Sequence, residues 1–264
     1  MRRHFFGHFF TAERLLAISI LSMLLATAFF VRFWNIEHLP AGLYPDEAMN
    51  GIDALRANET GNYQLFYPNN SGREGLYINL QALSLFLFGA NITALKLWSA
   101  IFGTATVLGV YLLAKELWQK RSVALFSAFL VTFSYWAINF SRIGFRAIMV
   151  PFILSFSFYF FFRGLRTKSL FSFLVSGFIF GLGFHTYIAF RVAPLILLII
   201  TLGCMASYRE FLKRYWKHAL VFTIGMFVTA LPLIYEFATH PEYLSSRSAS
   251  ISILSPAVNH GHLA

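Results

Sequence analysis

Asp46 and Glu47 stand side by side in GLYPDEAMNG, directly after Pro45, in a chain of 264 residues of which only 12% are charged. Adjacent carboxylates in a first helical turn have two uses. They can complement the helix macrodipole, each contributing about 0.3–1 kcal/mol at an exposed position. Alternatively, the helix N-terminus keeps Asp46 ionised and ready to take a proton from a substrate hydroxyl, which is general-base chemistry. Spacing alone does not choose between them. Cations form a second group: Arg142 and Arg146 in NFSRIGFRAIMVPF lie four apart, on one face if the segment is helical, and Arg191 follows in HTYIAFRVAP.

The elements that must position these groups are membrane helices. The chain is 58% hydrophobic and 19% aromatic, with a mean hydropathy of +0.63, well above a soluble domain. A bilayer core needs roughly 20 apolar residues per helical span. About seven such windows recur: Leu15–Phe33, Leu95–Leu117, Val123–Asn139, Ala147–Phe162, Leu170–Phe190, Ala193–Ser207 and Ala219–Ala238. The expected fold is therefore all-α, a polytopic transmembrane helical bundle forming one domain over 1–264. The first span is too long for a signal-peptide core and lacks an A-x-A cleavage site, so it reads as an uncleaved helix.

Lys and Arg collect in alternate gaps: Arg2, Arg3 and Arg14; Lys115, Lys120 and Arg121; Arg163, Arg166 and Lys168; Arg209, Lys213, Arg214 and Lys217. By the positive-inside rule these gaps and the N-terminus are cytoplasmic, and the chain is a multi-pass protein of the cell membrane. Segments 35–94, 141–146, Arg191 and 239–264 then face outward. The net charge of +10 reflects topology and calls for no nucleic acid. Eight of the acids, among them Asp46, Glu47 and Glu74, fall on the outer side, so chemistry is expected there. Arg142, Arg146 and Arg191 run against the charge bias and ask for an anionic partner.

The outer segment 35–94 is long enough to be a functional excursion. Pro45 at a first helical position, with Ala48, Ile52 and Leu55 at i, i+4 and i+7, predicts a short amphipathic helix. LYINLQALSLFLFG, Leu76–Gly89, is too short to cross and reads as a second juxtamembrane helix, with Tyr77 at interfacial depth.

GLYPDEAMNGIDALRANETG followed by YPNNSGREGLYINLQALSLFLFGANITALKLWSAIFGTATVLGVYLLAKELW resembles the N-terminal half of the C-type glycosyltransferases, of the protein O-mannosyltransferase and aminoarabinose transferase kind (glycosyltransferase family 39). In that family an Asp-Glu pair sits on a juxtamembrane helix of the first outer loop. The resemblance implies that Asp46 is the catalytic base and Glu47 its support. The implied reaction transfers a sugar from a polyprenyl-phosphate donor to a hydroxyl or amine of a protein, lipid or glycan acceptor, with inversion. It also implies membrane lipid as a partner and no cofactor, a divalent metal remaining the alternative; Asp-x-Asp is absent.

A donor phosphate needs cations, and Arg142, Arg146 and Arg191 suit it because a guanidinium binds phosphate oxygens bidentately. Snorkelling to headgroups, or pairing with Asp46 or Glu74, is the competing use. Glu74, Tyr77 and His185 are assigned to the substrate side. Relatives often carry a basic residue and two prolines where this chain has Arg73-Glu74-Gly75, which weakens any carried-over role there. His185 is equally explained by a structural hydrogen bond. His260 and His262 lack a third ligand for zinc, and Cys204 reads as a small buried hydrophobe. The sequence ends where family members continue, so an N-terminal portion, incomplete as an enzyme, is expected. A non-catalytic transporter, flippase or polyprenyl-phosphate-binding relative is the alternative function; acids concentrated outside rather than mid-membrane favour the enzyme.

Overall fold

The computed structural model describes residues 2–207 and 210–244, with the side chains of 2–11 and 211–212 excepted. Arg209, His260 and His262 lie outside the described residues. The elements are α1 (Arg2–Phe33), α2 (Pro45–Thr60), β1 (Phe66–Tyr67), β2 (Arg73–Glu74), α3 (Gly75–Phe88), α4 (Ile92–Trp118), α5 (Arg121–Phe133), α6 (Tyr135–Arg142), α7 (Met149–Thr167), α8 (Leu170–Gly183), α9 (Ala193–Ser207) and α10 (Phe211–Thr239). Short 3-10 turns at Arg146–Ile148 and Ile188–Val192 lead into α7 and α9. The fold is an all-α bundle with one two-stranded hairpin, β1 pairing antiparallel with β2.

Among the described residues five helices are long and apolar enough to cross a membrane, and six if α5 and α6 form one bent span. About seven were expected, and the difference has two causes. Leu170–Phe190 is not one helix: α8 stops at Gly183 after 14 residues, about 21 Å at 1.5 Å per residue, short of a 30 Å core. The Val123–Asn139 span is bent by 53° between α5 and α6. Ser134 sits there with extended dihedrals and its hydroxyl caps Ala137 N, so one helix ends and the next begins within the apolar stretch.

Carbonyls freed by such a break must find donors when no water is at hand. Arg32 of α1, fully buried, supplies them: Nη2 donates to Val131 O at 3.2 Å and Nη1 to Thr132 O at 3.4 Å, while Nε reaches Ser141 Oγ at 3.2 Å. Elsewhere in the bundle, α8 and α10 run parallel in close contact. A Cβ on Gly177 would meet Phe222 O at 2.0 Å and one on Gly181 would meet Met226 O at 2.2 Å, so this small-xxx-small face lets the backbones touch. Around it Phe158, Phe161, Phe173, Phe180, Phe190 and Phe222 form the main core. Large apolar side chains of α1, α5, α9 and α10 remain exposed, as lipid-facing surfaces do.

The two ends of the bundle differ in content. Arg166 at the end of α7 pairs with Glu116 at the end of α4, and His218 near the start of α10 bonds Lys168 O. These belong to the basic gaps. At the opposite end, the loop carrying α2 and α3 meets the α6–α7 turn, the turn before α9, and the C-terminus of α10. Among the described residues, the 35–94 loop, the α6–α7 turn, Arg191 and the end of α10 therefore gather at one end of the bundle.

Candidate active site

α2 begins where the sequence predicts, with Pro45 at its first position and Glu47 completing a capping box with Tyr44. Its amphipathicity is turned around. Ile52 and Leu55 are exposed, whereas Glu47, Asn50, Asp53, Ala54 and Ala57 are buried. The apolar stripe faces outward beside Leu43, Leu85 and Leu95, lining a groove of about 400 Å³, and the polar stripe packs onto the protein. Asp46, half-buried, sits at the head of that polar stripe, and its Oδ1 accepts from Asn70 Nδ2 at 2.9 Å.

Glu47 turns the other way. Its Oε2 accepts from Tyr44 N at 3.3 Å, and it presses against Gly144 in the α6–α7 turn, where a Cβ would lie 2.7 Å from Oε1. Gly144 has φ +56°, a conformation that already favours glycine. Burial drives the Glu47 carboxyl up to about 7, offset in part by the nearby Lys96 charge and the Tyr44 amide. Lys96 is itself fully buried, with Nζ 3.4 Å from Ile36 O.

A clamp missed at the sequence level holds the hairpin to α2. Arg73, buried, donates through Nη1 to Asn50 Oδ1 at 2.7 Å and through Nη2 to Asn69 Oδ1 at 2.5 Å, and it ion-pairs with buried Asp53. The signal was available: Asp46, Asn50 and Asp53 repeat at i, i+4 and i+7.

The arginines separate. Arg142 and Arg146 do not share a helix face, because α6 ends at Arg142 and Gly144 reverses the chain. Arg142 turns to α1, where Nη1 donates to Val31 O at 2.5 Å and Nη2 to Trp34 O at 2.8 Å and Leu39 O at 3.1 Å. That occupies the guanidinium with backbone carbonyls. Arg146, buried, stacks on Tyr187 at 5.3 Å and lies 3.8 Å from Glu74 Oε2. Arg191, still 31% exposed, reaches Glu74 Oε1 at 3.7 Å, donates to Leu244 O at 3.0 Å and covers Phe237 at 5.3 Å. Glu74 thus lies between two guanidiniums at ion-pair rather than hydrogen-bond distance.

An aromatic row links the acidic helix to this cluster: Tyr44 against Phe145 at 6.3 Å, Phe145 against Tyr187 at 5.6 Å, and Tyr187 under Arg146. Beneath Tyr187 opens an apolar cavity of about 500 Å³ between α4, the α5–α6 break and α7, lined by Gly103, Thr106, Trp136, Phe140, Ile148 and Pro151 among others. Tyr77 is fully buried, and His185 is buried with Nε2 2.7 Å from Thr229 O; both sit inside the packing rather than on this surface. Among the described residues no three His, Cys, Asp or Glu side chains are grouped to hold a metal ion.

The model of the dolichyl-phosphate-mannose-protein mannosyltransferase family matches residues 76–235, more than half of the chain. The chain belongs to this family. It is a membrane glycosyltransferase of the C type, and the match runs from α3 to α10, covering Arg142, Arg146, His185 and Arg191. Asp46, Glu47 and Glu74 lie ahead of the matched residues. No curated protein matches the chain.

Proposed function

We propose that this family member transfers a sugar from a polyprenyl-phosphate donor to an acceptor hydroxyl or amine at the end of the bundle that carries α2 and α3, with Asp46 as general base. The observation that carries the reading is the aromatic row running from the acidic helix to Arg146, which shares Glu74 with Arg191, beside the apolar cavity. A half-buried carboxylate, a cationic pair and a greasy groove are the three environments that an acceptor proton, a phosphate and a prenyl chain require.

In this reaction the acceptor oxygen or nitrogen attacks the anomeric carbon from the face opposite the phosphate. The bond from that carbon to the phosphate oxygen breaks, polyprenyl phosphate leaves as an anion, and Asp46 takes the acceptor proton. A single displacement inverts the anomeric centre. Arg146 and Arg191 receive the phosphate, with Glu74 as the anion they hold in its place. Glu47 anchors Asp46 through the cap and the Gly144 contact. Arg142, Tyr77 and His185 support the scaffold instead of touching substrate. The charge bias of the gaps is the ground for assigning this end to the extracytoplasmic side of the cell membrane, with the 35–94 loop carrying the base.

The test uses membranes from cells whose chromosomal gene encodes Asp46→Asn, supplied with labelled dolichyl-phosphate mannose. Loss of transfer with donor binding retained is the expected result. Transfer at the normal rate would overturn the base assignment.

A further inference from the structure

Asn70, Ser71 and Gly72 adopt left-handed dihedrals in succession, with φ of +48°, +64° and +79°. Asn and Gly tolerate this region, Ser does so at a penalty, and a run of three persists only where the surroundings enforce it. They do so on both sides. Asn69 Nδ2 donates to both Asp53 carboxylate oxygens, at 2.9 and 3.1 Å, and its Oδ1 accepts from Arg73 at 2.5 Å. Gly72 N closes the turn on Asn69 O at 3.1 Å, and Tyr67 pairs with Arg73 across the hairpin. Arg73 and Asp53 are buried, while Asn70 at the tip is exposed. The turn is therefore fixed at its base and presents one amide at its tip, and that amide donates to Asp46.

Asp46, Asn50 and Asp53 occupy one stripe of α2, and Asn70, Arg73 and Asn69 meet them in turn. The lower contacts are the clamp. The uppermost falls on the carboxylate read above as the base. We infer that Asn70 is a positioning residue for Asp46: its Nδ2 holds Oδ1, leaving Oδ2 to face the acceptor proton. The inference rests on Asp46 being the base.

Asn70→Gly is the discriminating variant, because glycine keeps the left-handed backbone and removes only the amide. Ser71→Gly is its control, relieving the backbone without touching the contact. The kcat and donor KM for transfer from dolichyl-phosphate mannose are measured in membranes of the full chain. Asn70→Gly should lower kcat roughly ten- to a hundredfold with donor KM within about twofold, as misoriented groups do. Ser71→Gly should match wild type.

Asn70→Asp, which replaces the amide donor by an acceptor, should lower kcat with donor KM likewise held and serves if the glycine variant fails to accumulate. An unchanged kcat in either Asn70 variant overturns the inference. If Asp46→Asn is inactive while Asn70→Gly behaves as wild type, Asn70 is excluded and the base stands; if Asp46→Asn transfers normally, the base reading itself has failed.

Discussion

Arg142 caps the helix that carries Arg32, and Arg32 caps the helix before the one that carries Arg142. Arg32, on α1, donates to Val131 O and Thr132 O at the end of α5, and Arg142, at the end of α6, donates to Val31 O at the end of α1 and to Trp34 O just beyond it. The bent α5–α6 segment and the exit of α1 are thus stitched together by two guanidiniums within an apolar bundle. Such bonds matter because a buried carbonyl without a donor costs about 1–3 kcal/mol.

Arg142→Ala should therefore lower stability. In detergent the variant should melt below wild type and be cleaved faster by protease. Arg142→Lys should rescue little, since one ammonium cannot span carbonyls that a planar fork reaches at once. Arg146→Ala should behave differently, raising the donor KM with a smaller drop in melting temperature. Equal KM effects from both substitutions would contradict the division of labour drawn between them.

The contrast shows where the sequence was legible. Helix content, the outer loop, Pro45 as a helix start and the short α3 follow from hydropathy, spacing and turn chemistry, and all appear in the structure. The number of spans followed only approximately, because α8 stops at Gly183 and Ser134 breaks a helix, both inside apolar windows that hydropathy reads as continuous. Arg142 and Arg146 looked like a pair because helical spacing assumed a helix that Gly144 interrupts. The polar stripe of α2 repeats as regularly as its apolar one; which of the two is buried depends on Arg73 and Asn69, whose approach through the hairpin no local pattern announces.

Glu47 sets a pH signature on stability. Its carboxyl is raised from 4.5 to about 7 by burial in the fold. Between those values the folded state holds a proton that the unfolded chain has released. Stability should therefore fall as pH rises from about 4.5 to 7, the reverse of a salt-bridged carboxylate. Glu47→Gln should flatten that fall, because the amide mimics the protonated side chain. Melting temperatures of both proteins between pH 5 and pH 8 check this; parallel curves would exclude Glu47 as the source.

Gly144→Ala tests the contact that joins α2 to the arginine turn. The new Cβ would stand 2.7 Å from Glu47 Oε1 on a residue with φ +56°. Steric strain of about 1–2 kcal/mol for the left-handed conformation adds to the displacement of the buried Glu47 carboxylate. A lowered melting temperature should result, and Gly144→Ala combined with Glu47→Ala should recover part of it by making room. Additive losses in the double variant would separate the two residues energetically.

Glu74 stands where the proposed donor phosphate would bind. It lies between Arg146 and Arg191 at 3.8 and 3.7 Å, separations at which Coulomb attraction persists without tight hydrogen bonding. An incoming phosphate that uses these arginines must share them with this carboxylate. Glu74→Gln removes the competing charge while keeping the volume. The variant should bind dolichyl-phosphate mannose more tightly, by several-fold in KM, and its advantage should shrink as salt screens the exposed face of Arg191. Glu74→Gln should also melt lower, since two cations then face each other without a counter-ion. An unchanged KM at every salt concentration would mean that the phosphate binds elsewhere and that Glu74 serves only to join the hairpin to α7 and α9.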